Sequence, residues 1–314
     1  MTEGDAADRA APYRCAAAAL RRGDPLVGTA ALVPRWLLIE EPGGWGVDGL
    51  TTSPVAADVA RTLSERARRA GVRVQLIRRP GKRRNRPAVR AAAFVDAEAG
   101  LAWWHGVRTD RDLLDIPLDQ PHLAAEASRE PIYLVCAHGR KDVCCAMRGR
   151  PIAEHLASHR ADATWETTHL GGHRFAANLV ALPHGLYYGQ LTFDTALAAV
   201  KAYESGHVLP RQLRGRSTQP PPAQAAECLA RQELGETRLD AIRPVSATQL
   251  DEHEWRVALA WADTTALATV RAVLSPLPAQ LSCGDPHAKH YRTFELVSLV
   301  TGAAREVGPQ GAEP

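Results

Sequence analysis

The sequence predicts an α/β protein of two similar tandem units followed by a small α+β module. Three observations carry this expectation. The element order β-α-β-β-β-α can be read twice along the chain. A Pro-, Gln- and Arg-rich stretch, VLPRQLRGRSTQPPPAQ, follows the second reading. Beyond it the pattern changes to one helix and several strands. At 314 residues the chain is long enough for two or three modules. Its 45% hydrophobic and 23% charged content is that of an ordinary globular protein.

The first unit, 13–125, opens with TAALVPRWLLIEE, an apolar strand-like run that PGGWG interrupts. PVAADVARTLSERARRAG has helical spacing and stops at Gly71. VRVQLIRR alternates as a strand does, and RAAAFVDAEAGLAWWHG reads as a hairpin turning over 96–100. TDRDLLDI starts another helix. In the second unit, 128–209, IYLVCAHG is a strand running into a cysteine-bearing loop, and GRPIAEHLASHR is a helix. ATWETTHLGGH is extended, and FAANLVALPHGLYYGQL is a hairpin turning at 183–185. TFDTALAAVKAYESG is a helix with Thr192 as its cap and Gly206 just past its end. This order is that of a thioredoxin-like unit. Residues 210–224 are expected as a linker and 225–305 as the α+β module, with strands at EWRVALAW, ATVRAVL and YRTFELVSLV. The tails, 1–12 and 306–314, are expected to be disordered.

A net charge of +3 points to no nucleic-acid partner. The segment 73–90 holds eight basic residues but no interleaved aromatics, which fits a solvated loop better than a nucleic-acid surface. MTEGDAADRAAP lacks the basic start and apolar run of a secretory signal, and no stretch of about 18 apolar residues suggests a membrane span. The expected location is the cytoplasm.

Six cysteines sit at 15, 136, 144, 145, 228 and 283. In a reducing compartment they should not form a disulfide framework. Three of them crowd into 136–145, which points to ligands or redox chemistry. Further on, HLGGH places His169 and His173 around two glycines. Each glycine costs about 1 kcal/mol in a helix, so the stretch suits a turn that brings two imidazoles to one centre. In a βαβ unit, loops at the same strand ends gather on one face, so the cysteine loop and the histidine loop can share a site. Two thiolates and two imidazoles fit tetrahedral zinc. They also fit a [2Fe–2S] cluster with Cys on one iron and His on the other. The eight residues between Cys136 and Cys145 suit the bulkier cluster better than a zinc knuckle. Cys144 is an alternative ligand. Asp142, Glu166 and Arg174 are candidates for a supporting shell, since a carboxylate on a ligand imidazole fixes its tautomer. Cys15, Cys228 and Cys283 read as buried small residues, and SCGDPHAKHY as a polar loop in preference to a minor metal site at Cys283, His287 and His290. Two other functions compete. One is a thiol oxidoreductase with Cys136, Cys144 or Cys145 as nucleophile, which lacks Cys-x-x-Cys and leaves the histidines unexplained. The other is a structural zinc module serving interaction.

CAHGRKDVCCAMRGRPIAEHL followed by WETTHLGGHRFAANLVALPHGLYYGQL resembles the sucrase/ferredoxin-like family, and RWLLIEEPGGWG resembles that family's N-terminal half. The resemblance spans roughly 13–207. It implies a thioredoxin-like ferredoxin with bis-histidinyl ligation of one [2Fe–2S] cluster, and its ligand pattern maps onto Cys136, Cys145, His169 and His173. It further implies an electron carrier between redox partner proteins, a reductase or a terminal acceptor, rather than a stand-alone enzyme with catalytic residues. No paired carboxylates are set for sugar hydrolysis, so the family's name implies no sucrase activity here. Two thiolates leave an oxidised cluster neutral where four would leave it at −2. The potential should therefore lie above the roughly −400 mV of plant-type ferredoxins, with proton coupling at the histidines.

Overall fold

The computed structural model of the chain describes residues 12–81, 86–120 and 125–303. The expected tails lie outside these residues except for Pro12, as does the middle of the basic segment. A short helix, α1 (Cys15–Arg22), precedes β1 (Arg35–Glu40), α2 (Ala57–Arg69), β2 (Val72–Arg78), β3 (Arg90–Asp96), β4 (Leu101–Val107) and the two-residue β5 (Ala127–Ser128). TDRDLLDI forms only a 3-10 turn at Arg111–Leu114. There follow β6 (Ile132–Cys136), α3 (Val143–Ala157), β7 (Thr164–Thr167), β8 (Leu179–Leu182), β9 (Leu186–Tyr188), α4 (Phe193–Glu204) and β10 (Leu213–Arg216). The Thr192 hydroxyl caps α4 by accepting from the Thr195 N–H.

These ten strands form one mixed sheet in the order β10-β9-β8-β6-β7-β2-β1-β3-β4-β5. The α/β class is the one the element order predicts, and it is compatible with a thioredoxin-like fold. β1 runs parallel to β2 and antiparallel to β3, and β6 runs parallel to β7 and antiparallel to β8. The halves meet at β2 and β7, which pair antiparallel with Ile77 opposite Thr167 and Arg78 opposite Glu166. An Arg78 Nε–Glu166 Oε2 ion pair of 2.7 Å crosses this seam. The WLLI run of β1 is buried on both faces, as a central strand must be. Leu37 and Ile39 pack under α2 with Leu63 and Phe94, while Trp36 and Leu38 join a core on the opposite face. That opposite core is shared by both halves and contains Ile77, Leu134, Trp165, Cys136 and Cys145.

The stretch 210–224 differs from the expected linker. It carries β10, an edge strand buried along its length, and the start of α5 (Pro221–Leu234). LRGR looks like a solvated loop, but its arginines are buried because each finds polar partners. Arg216 reaches Glu227 Oε1 at 3.3 Å and the Leu239 carbonyl at 3.1 Å. Helix α5 then covers a four-stranded antiparallel sheet of β11 (Ile242–Gln249), β12 (Glu254–Trp261), β13 (Thr264–Leu274) and, beyond the small hairpin β14 (Ala279–Gln280) and β15 (Ala288–Lys289), β16 (Arg292–Ala303). The α+β module is therefore docked on the large sheet through α5.

The docking has an ionic centre. Arg231, fully buried, donates to Glu227 Oε1 and to the carbonyls of Arg238, Leu239 and Ile242 at 2.8–3.2 Å. We expect Arg231→Ala to destabilise the chain by about 3–5 kcal/mol, because Glu227 loses half of its compensation and three carbonyls lose a donor. The urea midpoint of the full chain checks this; an unchanged midpoint refutes it.

Candidate metal centre

The parallel pairing of β6 with β7 sets Cys136 opposite Thr167, so the loops after both strands leave the same edge of the sheet. The loop after β6 is short. The Asp142 side chain accepts from the Cys144 N–H and starts α3 at residue 143. Cys144 and Cys145 therefore lie in the first turn of the helix, not in a loop before it. The local cause is Asp142 acting as an N-cap. The close approach of α3 to β6 rests on Gly149: a Cβ there would overlap the Cys136 carbonyl.

After β7 the chain turns at Gly171 (φ +97°) and Gly172 (φ +70°), backbone conformations that favour glycine. His173 follows in a 3-10 turn, His173–Phe175. The result places Cys136 Sγ 3.9 Å and Cys145 Sγ 3.7 Å from His169 Nδ1. Cys136, Cys145 and His169 form a group whose donor atoms all lie within 4.8 Å of one another. His173 stands outside that group, its ring stacked on His169 at 5.3 Å between centroids. Its Nδ1 is buried with no hydrogen-bond partner among the described residues. Cys144 is not in the group. Its sulfur lies 3.4 Å from that of Cys283 instead.

The electrostatics suit a metal. The hydrogen bond from Cys145 holds the Cys136 thiol well below its ordinary range, His169 adding to this against the burial. The same bond, with burial, pushes Cys145 up. Burial lowers the pKa of His173, so its imidazole is neutral at pH 7, the form that ligates.

The supporting residues are mostly not those expected from sequence. The Asp142 carboxylate accepts from Cys144 N, Cys283 N and Ser282 Oγ. Glu166 is engaged with Arg78 at the seam. Arg174 pairs with Asp24 at 3.4 Å and lies over the rings of Phe175 and Tyr291. His169 is held instead by β2 and by His138. Arg73 and Gln75 donate to its carbonyl at 2.7 and 3.3 Å, and its N–H donates to His138 Nδ1 at 3.2 Å. His138 Nε2 lies 2.6 Å from the Gly46 carbonyl, so the PGGWG loop of the first half steadies the site. Asn178 ties the two loops together. Its carbonyl accepts from Cys136 N, and its amide donates to the Gly172 carbonyl at 3.0 Å. Arg214 of β10 completes the frame, donating to Asn178 Oδ1 at 2.8 Å and Gly171 O at 3.1 Å. Sequence reading missed both: the position of His138 two residues after Cys136 was the one available signal, and nothing local marked Arg214.

These features define an α/β protein with a buried Cys/His grouping able to hold a metal. The chain belongs to the sucrase/ferredoxin-like family, whose model matches residues 26–215. No curated protein and no solved structure matches it. The matched region ends inside β10, so the family's extent includes Arg214 and excludes α5 and the α+β module. Among the described residues no helix is long and apolar enough to cross a membrane.

Because the Cβ of an alanine at 149 would meet backbone rather than a movable side chain, we expect Gly149→Ala to cost about 1–3 kcal/mol and to reduce metal uptake by prising Cys136 from Cys145. Gly44→Ala, with open space around it, should stay within about 0.5 kcal/mol of the parent. Urea midpoints and metal content of both variants check the contrast.

Proposed function

We propose that the protein is an electron carrier holding one [2Fe–2S] cluster through Cys136 and Cys145 on one iron and His169 and His173 on the other. One observation carries this reading: in a chain of this family, a buried cysteine at the end of β6, another in the first turn of α3 and a stacked histidine pair after β7 converge at one end of two adjacent parallel strands. The donor set fits the group. Nδ1 of His169 faces both thiols and Nδ1 of His173 is buried without a hydrogen-bond partner among the described residues, so both rings would ligate through Nδ1. When bound, the cluster supplies one-electron transfer at a potential above that of four-thiolate ferredoxins.

The chain's own residues do the rest. Cys136 and Cys145 sit in the shared core and keep water from the sulfur side. The two histidines, each partly exposed, form the side from which electrons pass to a reductase or a terminal acceptor. Ligation through Nδ1 would leave Nε2 of each histidine as the atom that gains and loses the coupled proton. Arg73, Gln75 and His138 hold the histidine loop still, which keeps reorganisation on electron transfer small. Each half of the large sheet reads as a thioredoxin-like unit, the first serving as scaffold for the second.

A second reading has one observation in its favour. The 3.7 and 3.9 Å spacings of His169 Nδ1 from the two sulfurs match the edges of a single tetrahedral site, about 3.6 Å for zinc with sulfur and nitrogen. The position of His173 outside the tight group argues for the wider centre.

Anaerobic purification separates the two readings. We expect red-brown protein with iron and acid-labile sulfide in equal amounts. Cys136→Ser, Cys145→Ser, His169→Ala and His173→Ala should each lose or alter the absorption, while Cys144→Ser keeps it. Colourless protein with one zinc at this site, or loss with Cys144→Ser alone, refutes the proposal. Reduction adds negative charge and so raises the affinity of the ligand imidazoles for their protons. The potential should therefore fall with rising pH across about 6–9, near and above the ordinary histidine range. A flat profile in protein-film voltammetry refutes proton coupling.

A further inference from the structure

A second group of donors lies beside the first, and it joins three distant parts of the chain. Cys15 is the first residue of α1, Cys144 is in the first turn of α3, and Cys283 is in the loop between β14 and β15. Their sulfurs and the Asp142 carboxylate all lie within 4.8 Å of one another. Cys283 Sγ is 3.4 Å from Cys144 Sγ and 3.6 Å from Cys15 Sγ, and Cys15 Sγ is 3.6 Å from both Asp142 oxygens. Edges of a tetrahedral zinc site with thiolate ligands are about 3.8 Å, so these spacings need little adjustment. Cys15, Cys144 and Asp142 are buried and Cys283 is partly exposed, which leaves one way in.

The surroundings fit a cation held by thiolates. Two helix N-termini, of α1 and α3, converge on the group, where their dipoles oppose the burial and the Asp142 carboxylate that push the Cys15 thiol up; a bound cation would offset both. The Cys15 N–H donates to Cys283 Sγ at 3.4 Å. Asp142 Oδ1 accepts one backbone hydrogen bond and Oδ2 accepts one backbone and one hydroxyl bond, so Oδ1 has the freer lone pair. Tyr13 also donates to the Gln280 carbonyl, so the N-terminal segment and the α+β module already meet here.

We propose that Cys15, Cys144 and Cys283, with Asp142 Oδ1 as fourth donor, bind one zinc ion distinct from the Cys136/Cys145/His169/His173 centre. Three thiolates select soft or borderline ions over magnesium or calcium. Binding is not a redox step: zinc replaces three thiol protons, which pass to solvent. The ion clamps α1 and the 282–284 loop onto the head of α3, one residue from Cys145. Metal there would fasten the N-terminal helix and the α+β module over the first site.

The test uses the full chain, purified anaerobically and offered zinc alone, with metal counted after dialysis against a weak chelator. Wild type and Cys136→Ser/Cys145→Ser should each retain one zinc at this second site. Cys15→Ser/Cys283→Ser should keep its circular dichroism and lose zinc affinity by about 100-fold or more, beyond the loss expected for a supporting residue. Cobalt should give sulfur-to-metal charge-transfer bands in Cys136→Ser/Cys145→Ser and not when Cys15→Ser/Cys283→Ser is added to that variant. A measurement on wild type alone guards against misfolding: zinc should shield Cys15, Cys144 and Cys283 from alkylation and leave the reactivity of buried Cys228 unchanged. Equal zinc retention by folded Cys15→Ser/Cys283→Ser overturns the proposal. So does zinc lost only with the Cys136/Cys145 pair, a Cys144–Cys283 disulfide found by mass spectrometry after anaerobic thiol trapping, or unshielded alkylation of the three cysteines.

Discussion

The Asp142 carboxylate sets the geometry of both cysteine groups. By accepting from the Cys144 N–H it fixes the first turn of α3, and thereby the rotation of every side chain on it. Adjacent helical residues point about 100° apart, since a turn takes 3.6 residues. Cys144 and Cys145 are neighbours in sequence yet face different partners: Cys145 turns to Cys136 and His169, Cys144 to Cys15 and Cys283. A helix beginning one residue earlier or later would rotate the pair and exchange or lose those partners. The same carboxylate accepts from Cys283 N and Ser282 Oγ, so the start of the helix and the docking of the α+β module are one hydrogen-bonded event.

A second constraint is the buried cation behind the histidine turn. Arg214 is fully buried, and burial lowers its pKa to about 10, against the attraction of Tyr187 and of the two cysteines of the first site. It is still charged at pH 7. The charge persists because the guanidinium donates four hydrogen bonds: to Gly171 O, to Asn178 Oδ1, and to both the hydroxyl and the carbonyl of Thr29 at 2.5–3.1 Å. A β-carbon on Gly172 would run into this guanidinium. The double glycine thus answers two demands, a left-handed turn and room for a cation. Opposite that cation sits the more readily ionised thiol, Cys136, so positive charge is built in where thiolates would form.

Legibility in the sequence follows the range of the forces involved. Strand and helix order was readable because apolar periodicity and caps such as Thr192 and Gly71 are local. The pairing of the Cys136 and His169 loops was readable because parallel β6 and β7 bring both to one sheet edge. The start of α3 was misplaced because a Lys-Asp pair before two cysteines looks like a loop until the Asp142 side chain is seen on the Cys144 N–H. β10 was hidden because Leu-Arg-Gly-Arg carries no apolar alternation; its burial is driven by Glu227, Asn178 and backbone carbonyls that lie elsewhere in sequence. Cys15 and Cys283 were read as packing residues because 268 positions separate them and no spacing rule spans such a gap.

The two groups differ in what holds them. The Cys136/Cys145/His169 group is built on strands β6 and β7 and on the helix between them, all within one half of the large sheet, and the other half braces it through Arg73, Gln75 and the Gly46 carbonyl that meets His138. Its geometry is therefore set by sheet pairing and core packing. The Cys15/Cys144/Cys283 group takes one donor from each of α1, the head of α3 and the 282–284 loop, and two of these, α1 and that loop, lie outside the family's matched region. Such a group orders itself only when all three segments are in place. Asp142 and the first turn of α3 connect the two, so the state of the outer group can reach the inner one through one turn of helix.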